Sequence, residues 1–155
     1  QLPAAKIVEI CQQMQLPVLL LGGKEEQKVA KEIISACAGL TIVSACGEVG
    51  INQSADLVRQ ARVVISHDTA LMHLSAAFGR PTLAVWGNTV PGLGMYPYLP
   101  QHPERHEDME VTGLSCRPCS KIGHKTCPKG HFNCMQQQNS AHIAARARYW
   151  FSQGV

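Results

Sequence analysis

The stretch RVVISHDTALMHLSAAFGRPTLAVWG, residues 62–87, decides the fold. Two short apolar runs, RVVIS and PTLAVWG, flank TALMHLSAAFG, whose leucines and alanines favour a helix and whose Gly79 supplies its stop. Strand, helix and strand in so short a span form a βαβ unit, and two strands joined by a crossover helix run parallel. Neither run alternates polar with apolar residues, which predicts strands buried on both faces.

Working towards the N-terminus, the same grammar repeats. LPVLLL (16–21), closed by Gly22-Gly23, reads as a buried strand, and LTIVSA (40–45) as a shorter one. AAKIVEICQQM (4–14) spaces Ile7, Ile10, Cys11 and Met14 along one helical face. KEEQKVAKEIISACA (24–38) does so with Val29, Ile33 and either Ala36 or Cys37. NQSADLVRQA (52–61) supplies a further helix, with Asn52, Gln53 or Ser54 as its cap. Such alternation predicts an α/β fold: a Rossmann-like three-layer domain with one parallel sheet, right-handed crossovers and helices on both faces. All of residues 1–155 are expected in this one domain.

Beyond Gly87 the texture changes. Residues 88–113 are rich in proline and glycine, with one more short strand expected around residues 109–112. A cysteine-rich loop segment covers 115–135. A last helix, SAHIAARARYWF (140–151), places Ile143, Ala147 and Trp150 on one face.

Composition agrees with a packed domain. The chain is 45% hydrophobic and 16% charged, which excludes a disordered polyelectrolyte. No apolar run approaches the ~20 residues of a membrane-spanning helix. The start at Gln1, with no methionine and no signal pattern, is read as that of a fragment cut from a longer chain. Charge is uneven: the first 110 residues carry −3 and the last 45 carry +6, with no Asp or Glu after Glu110. A basic end attracts phosphates, nucleic acid or an anionic membrane face, or compensates thiolates beside it.

In an open parallel sheet ligands bind beyond the carboxyl ends of the strands. Asp68 and Thr69 occupy such an end. With Asp68 as helix cap, the amides of Thr69, Ala70 and Leu71 are left for an anion, Thr69 adds a hydroxyl, and His73 follows one turn later. The competing reading is a cap alone, worth ~1 kcal/mol, with His73 packed against the strand. Three more loops share the edge: Gly22-Gly23 with Glu25 and Glu26, ACGEVG (45–50) and WGNTVPG (86–92). Together they predict a nucleotide cleft. No strand is followed by GxGxxG, which argues against a dinucleotide oxidoreductase.

Cys116, Cys119, Cys127 and Cys134 form CxxC-x7-C-x6-C, with His124 and His131 inside the segment. Four sulfurs at this spacing suit a tetrahedral structural zinc ion; the alternative is a set of free thiols. Arg117, Lys121, Lys125 and Lys129 would balance the thiolates. Cys11, Cys37 and Cys46 take no role. A zinc-ribbon-like nucleic-acid module is the competing reading, but Phe132 is the only aromatic residue among the segment's basic ones; no nucleic-acid partner is expected.

The motifs LLLGGKEEQKVAKEI, VVISHDTALMHLSAAFGRPTLAVWGNTVP and LSCRPCSKIGHKTCPKGHFNCM together resemble glycosyltransferase family 9, the lipopolysaccharide heptosyltransferases. The resemblance covers nearly the whole chain and is to the C-terminal, nucleotide-sugar-binding half of their two-domain B-type fold. It implies transfer of heptose from ADP-heptose to the lipopolysaccharide inner core with inversion, without a catalytic cofactor. The base and the lipid A–core acceptor then belong to the N-terminal domain, absent from this chain, so that no catalytic residue is expected here and the fragment alone is expected to be inactive. It also implies a cytoplasmic protein, with peripheral contact at the inner membrane. Carried over, Gly23 and Glu26 (or neighbouring Glu25) meet the ribose, Glu48 and Val49 frame the adenine, and Thr69, Ala70 and Leu71 hold the diphosphate. Asp68 faces the sugar, His73 lies beside the phosphates, and Asn88 and Thr89 close the sugar end. One position departs from the pattern: Ala70 stands where the family usually has glycine. Another B-type glycosyltransferase with a different nucleotide sugar is the alternative.

Overall fold

The computed structural model describes residues 1–154. Its elements are α1 (Ala4–Met14), β1 (Val18–Leu20), α2 (Gln27–Ala36), β2 (Ile42–Ser44), α3 (Ile51–Gln60), β3 (Val64–His67), α4 (Ala70–Ala77), β4 (Thr82–Val85), β5 (His106–Met109), α5 (Asn133–Gln136) and α6 (Ser140–Gln153). Every strand pair is parallel, as the βαβ grammar requires. The single sheet expected from the sequence is instead two ladders, β1–β2 and β3–β4–β5, with β4 in the middle of the second.

β4 is the strand buried on both faces. Leu83 and Val85, 0% and 1% exposed, turn to one side, where Ile10 and Met14 of α1 and Ile143, Ala147 and Trp150 of α6 form the largest core cluster. Ala84 and Trp86 turn to the other and pack with Met72 of α4. A smaller cluster, Cys11, Ile33, Cys37 and Ile42, joins α1, α2 and β2. β1 and β2 depart from expectation: Leu19 is 41% exposed and Val43 58%, because helices cover only the opposite face of that pair.

The late strand also lies elsewhere than expected, at His106–Met109 rather than around 109–112. HEDM does not read as a sheet strand because its charges serve as acceptors. Glu107 takes both Arg146 donors, at 2.6 and 2.7 Å, and the Trp150 indole N–H at 2.5 Å. Asp108 takes the indole N–H of Trp86 at 2.6 Å and contacts His106 Nε2 at 2.7 Å. An edge strand tolerates such residues because only one of its sides pairs.

The helix ends follow local chemistry. Gly79, at φ +63°, ends α4; its N–H bonds to Ala76 O and that of Arg80 to Ser75 O, at 2.9 and 3.0 Å. α3 is capped by Gly50, whose N–H is held by Gln53 Oε1 at 2.8 Å, so of the three expected capping residues only Gln53 is used. Asn139 Oδ1 accepts from His142 N at 3.0 Å and starts α6.

Leu83→Ala removes a side chain with no exposure from the strand between both helix layers. Its expected cost is about 2–5 kcal/mol of unfolding free energy, read from urea titration; a loss under roughly 1 kcal/mol would contradict a close-packed β4.

Candidate functional site

The loops after β1 and β2 are bonded to each other, Gly47 N–H to Gly22 O at 2.9 Å. Gly47 has φ +69°, and a Cβ there would lie 2.9 Å from Lys24 Cα, so the approach needs glycine. Glu26 is already engaged: Oε2 accepts from Gly23 N at 2.8 Å as a cap, and Oε1 accepts from Gln1 Nε2 at 3.2 Å. Glu48 is exposed and its N–H closes a turn onto Ala45 O at 3.2 Å, with half-buried Val49 next to it.

At the end of β3 the sequence reading needs a correction. The cap of α4 is Thr69, in extended conformation at φ −148°, and not Asp68. Helical geometry starts at Ala70, so the amides of Ala70 and Leu71 open the helix without intrahelical acceptors, while Met72 N–H bonds to Thr69 O at 3.1 Å. Asp68 is diverted because its Oδ2 accepts from the buried Thr89 hydroxyl at 3.0 Å, which links the exit of β3 to that of β4. Ser66 Oγ donates to His67 O at 3.0 Å and lies 3.1 Å from Thr69 Oγ1. Thr69 and Ala70 are exposed at this mouth, and Leu71 is half-buried. His73 is exposed, so it does not pack against the strand.

The loop after β4 is fixed from behind. Arg117, whose side chain is 5% exposed, donates to Gly87 O at 2.5 Å, Val111 O at 2.7 Å and Thr89 O at 3.0 Å, and pairs with Glu110 at 3.1 Å. Cys119 N–H bonds to Asn88 O at 2.8 Å. Asn88 Nδ2 donates to His124 O at 2.9 Å, so its amide group is spent on the cysteine segment while Thr89 faces Asp68. Gln138 Nε2, buried, reaches the carbonyls of Trp86, Met109 and Cys134 at 3.0–3.3 Å.

Two participants escaped the sequence reading. Arg117 had been counted only as a basic residue, and His67 had no role. His67 Nε2 accepts from Leu2 N at 2.8 Å, which ties the N-terminal segment to the end of β3. Burial, reinforced by the nearby Gln1 amino group, holds this imidazole down at about 4, so it is a neutral acceptor at pH 7. Neither role carries a local pattern: Leu2 lies 65 residues from His67, and Gly87 and Thr89 lie 30 and 28 residues from Arg117.

The four cysteines share one segment and influence one another. Burial raises the Cys134 and Cys119 thiols, and the neighbouring thiols raise them further. The amides of Phe132, Lys129, Gly130 and His131 hold Cys127 below its ordinary value. As placed, no three His, Cys, Asp or Glu side chains among the described residues stand close enough to hold a metal ion. A separate hollow of about 270 Å³ lies at the far end of α4, against residues 98–102, and includes none of the strand-end residues.

The fold is an α/β domain with parallel strands, and the first-turn amides of Ala70 and Leu71 lie at the end of β3 without intrahelical acceptors. The model of glycosyltransferase family 9 (heptosyltransferase) matches residues 3–131, and the chain belongs to this family. Lipooligosaccharide heptosyltransferase 2 of Haemophilus ducreyi is 32% identical over 92 residues, covering 56% of this chain and 26% of that protein. Its counterpart in Campylobacter jejuni is 26% identical over 136 residues, 84% of this chain and 40% of that one. The chain thus spans well under half the length of these relatives. Among solved structures, Escherichia coli ADP-heptose lipopolysaccharide heptosyltransferase II superposes with a TM-score of 0.74 at 17% identity, over 99% of this chain and 42% of that one. A family 9 glycosyl transferase from Veillonella parvula gives the same TM-score at 14% identity. At such identities these two show the fold alone, an α/β architecture with parallel strands that matches part of the B-type glycosyltransferase structures. No helix among the described residues is long and apolar enough to cross a membrane.

His67 has a measurable signature. Its folded value lies below the ordinary 6.5, so the unfolded chain binds the extra proton, and the stabilisation is complete above pH 6.5 and lost as pH falls towards 4. Stability is expected to drop by up to about 3 kcal/mol across that window. His67→Gln, which keeps an acceptor but no titrating group, should flatten the profile; an unchanged slope in urea titrations at pH 4.5 and 7 would refute the assignment.

Proposed function

We propose that this chain is the donor-binding part of an inverting heptosyltransferase that uses ADP-heptose. The observation that carries the reading is the mouth of α4, where the first-turn amides of Ala70 and Leu71 have no intrahelical acceptor and exposed Thr69 stands beside Asp68 at the end of β3. The diphosphate binds there. As the glycosidic bond to the leaving phosphate breaks, negative charge grows on its oxygens, and preset amides with the helix dipole stabilise that charge. Thr89 holds Asp68, which receives the sugar hydroxyls. The paired loops at Gly22 and Gly47 take the nucleoside, the ribose meeting Glu26 once Gln1 gives way. The acceptor hydroxyl needs a general base, and this reading places it, with the lipid A–core acceptor, in the N-terminal half of the enzyme.

Family membership and the name of the Escherichia coli structure support the donor assignment. The basic end supports contact with an anionic inner-membrane face from the cytoplasm, through few residues. Arg117 is buried, Arg146 is spent on Glu107 and Arg148 donates to Gln13 O, which leaves Lys121, Lys125 and Lys129 exposed.

Calorimetric titration of the intact protein with ADP and then UDP tests the reading: ADP is expected to bind more tightly. Ala70→Asp separates a phosphate site from a mere helix start. A carboxylate in the first turn stabilises a helix by about 0.5 kcal/mol, yet it repels a bound diphosphate. The variant should be at least as stable as the parent and bind ADP roughly tenfold more weakly or worse. Undiminished ADP binding would remove the phosphate from this helix start, and a preference for UDP would point to another nucleotide sugar.

A further inference from the structure

We propose that Arg117 is a positioning residue for the sugar end of the donor. Through the loop that leaves β4, and through Thr89, it fixes the Asp68 carboxylate that the sugar meets, and it leaves the nucleotide to other groups. This role rests on the donor-binding reading and deepens it. Three consecutive carbonyls of the loop are claimed by one short stretch of chain. Arg117 Nε donates to Gly87 O at 2.5 Å, Cys119 N–H to Asn88 O at 2.8 Å and Arg117 Nη2 to Thr89 O at 3.0 Å. Nη1 reaches Val111 O at 2.7 Å, and Nη2 also pairs with Glu110 at 3.1 Å.

These bonds leave the loop little choice of position. The Arg117 side chain is 5% exposed, so water cannot readily replace a lost acceptor. Lysine presents one ammonium group and lacks the planar fork that spans Gly87 O and Thr89 O. With its carbonyl held in this way, Thr89 is 4% exposed and its hydroxyl donates to Asp68 Oδ2 at 3.0 Å. One oxygen of the carboxylate is thus engaged, and Oδ1 is left to accept from another donor.

The two parts of the seat are therefore placed by different means. The first-turn amides of Ala70 and Leu71 belong to the backbone of α4, which is seated through buried Met72, Ser75 and Ala76. Asp68 is half-buried and is placed by a side chain from the exit of the next strand. ADP ends at its outer phosphate, and only a sugar joined to that phosphate brings hydroxyls to the carboxylate. Hydroxyls that donate to a carboxylate form charge-assisted bonds, and such bonds weaken steeply when the acceptor is displaced. Arg117 touches neither sugar nor phosphate here; it acts through Thr89.

Calorimetric titration of the intact protein with ADP and with ADP-heptose tests this, read as the ratio of the two dissociation constants. Wild-type protein is expected to bind ADP-heptose roughly tenfold more tightly than ADP. Arg117→Lys and Thr89→Val should each bring the ratio close to one while changing the affinity for ADP by less than about twofold. Thr89→Ser, which keeps the hydroxyl, should retain the wild-type ratio. The double variant Arg117→Lys/Thr89→Val should lose no more than either single change, because both act on one carboxylate. Arg146→Lys, which breaks a comparable fork on Glu107 of β5, should lower stability and leave the ratio intact. If Arg117→Lys does not fold, Thr89→Val and Thr89→Ser read the same relay one step later. An unchanged ratio in the variants would overturn the proposal, as would a wild-type ratio near one. Equal loss of affinity for both ligands would reduce Arg117 to a structural support and overturn it too. Wild-type protein that binds neither ligand would overturn the donor-binding reading itself, and the proposal with it.

Discussion

The buried guanidinium of Arg117 is the contact on which the candidate site depends. A charge with so little solvent survives because its donors are spent, on three carbonyls and on Glu110. Those carbonyls belong to the loop leaving β4 and to the chain that follows β5. One side chain therefore decides where Thr89 stands, and through Thr89 where Asp68 stands. A lysine could satisfy one of these acceptors well but lacks the planar fork that reaches all of them.

Around that anchor the edge divides into two parts. The β3–β4 part is rigid: β4 is enclosed on both sides, and its exit loop is held by Arg117, Cys119 and Gln138. The β1–β2 part belongs to a separate ladder with one open face. The backbone of Leu2 on His67 and the side chain of Gln1 on Glu26 link the strand ends of the two. The candidate diphosphate seat thus lies in the stiff part, and the nucleoside loops in the part with fewer ties.

Much of this architecture was legible in the residues. Helical spacing located α1, α2 and α6, helix-forming residues with a glycine stop located α4, and apolar runs located β1 to β4. The strand-to-helix junction pointed to the start of α4, although the cap proved to be Thr69 and not Asp68. What was not legible is pairing across distance. The charged β5 is a strand because Arg146, Trp150 and Trp86 use its carboxylates, and nothing within HEDM announces those partners. Asp68 preceded a helix and so resembled a cap, yet the hydroxyl that claims it lies on the next strand's exit. The open face of β1–β2 was equally invisible, since Leu19 and Val43 are as apolar as their covered neighbours.

The packing of α1 on α6 has a consequence in time. The largest core cluster takes residues from Leu2 to Trp150, so its two helical walls come from opposite ends of the described chain. During synthesis α6 must emerge before that cluster can close, and until then Ile10, Met14, Leu83 and Val85 lack the wall that α6 supplies. Contacts of such long sequence separation make for slow folding. The two smaller clusters, one of Cys11, Ile33, Cys37 and Ile42 and one of Met72, Ala84 and Trp86, need no residue of α6 and can close first, so the largest cluster is the late step.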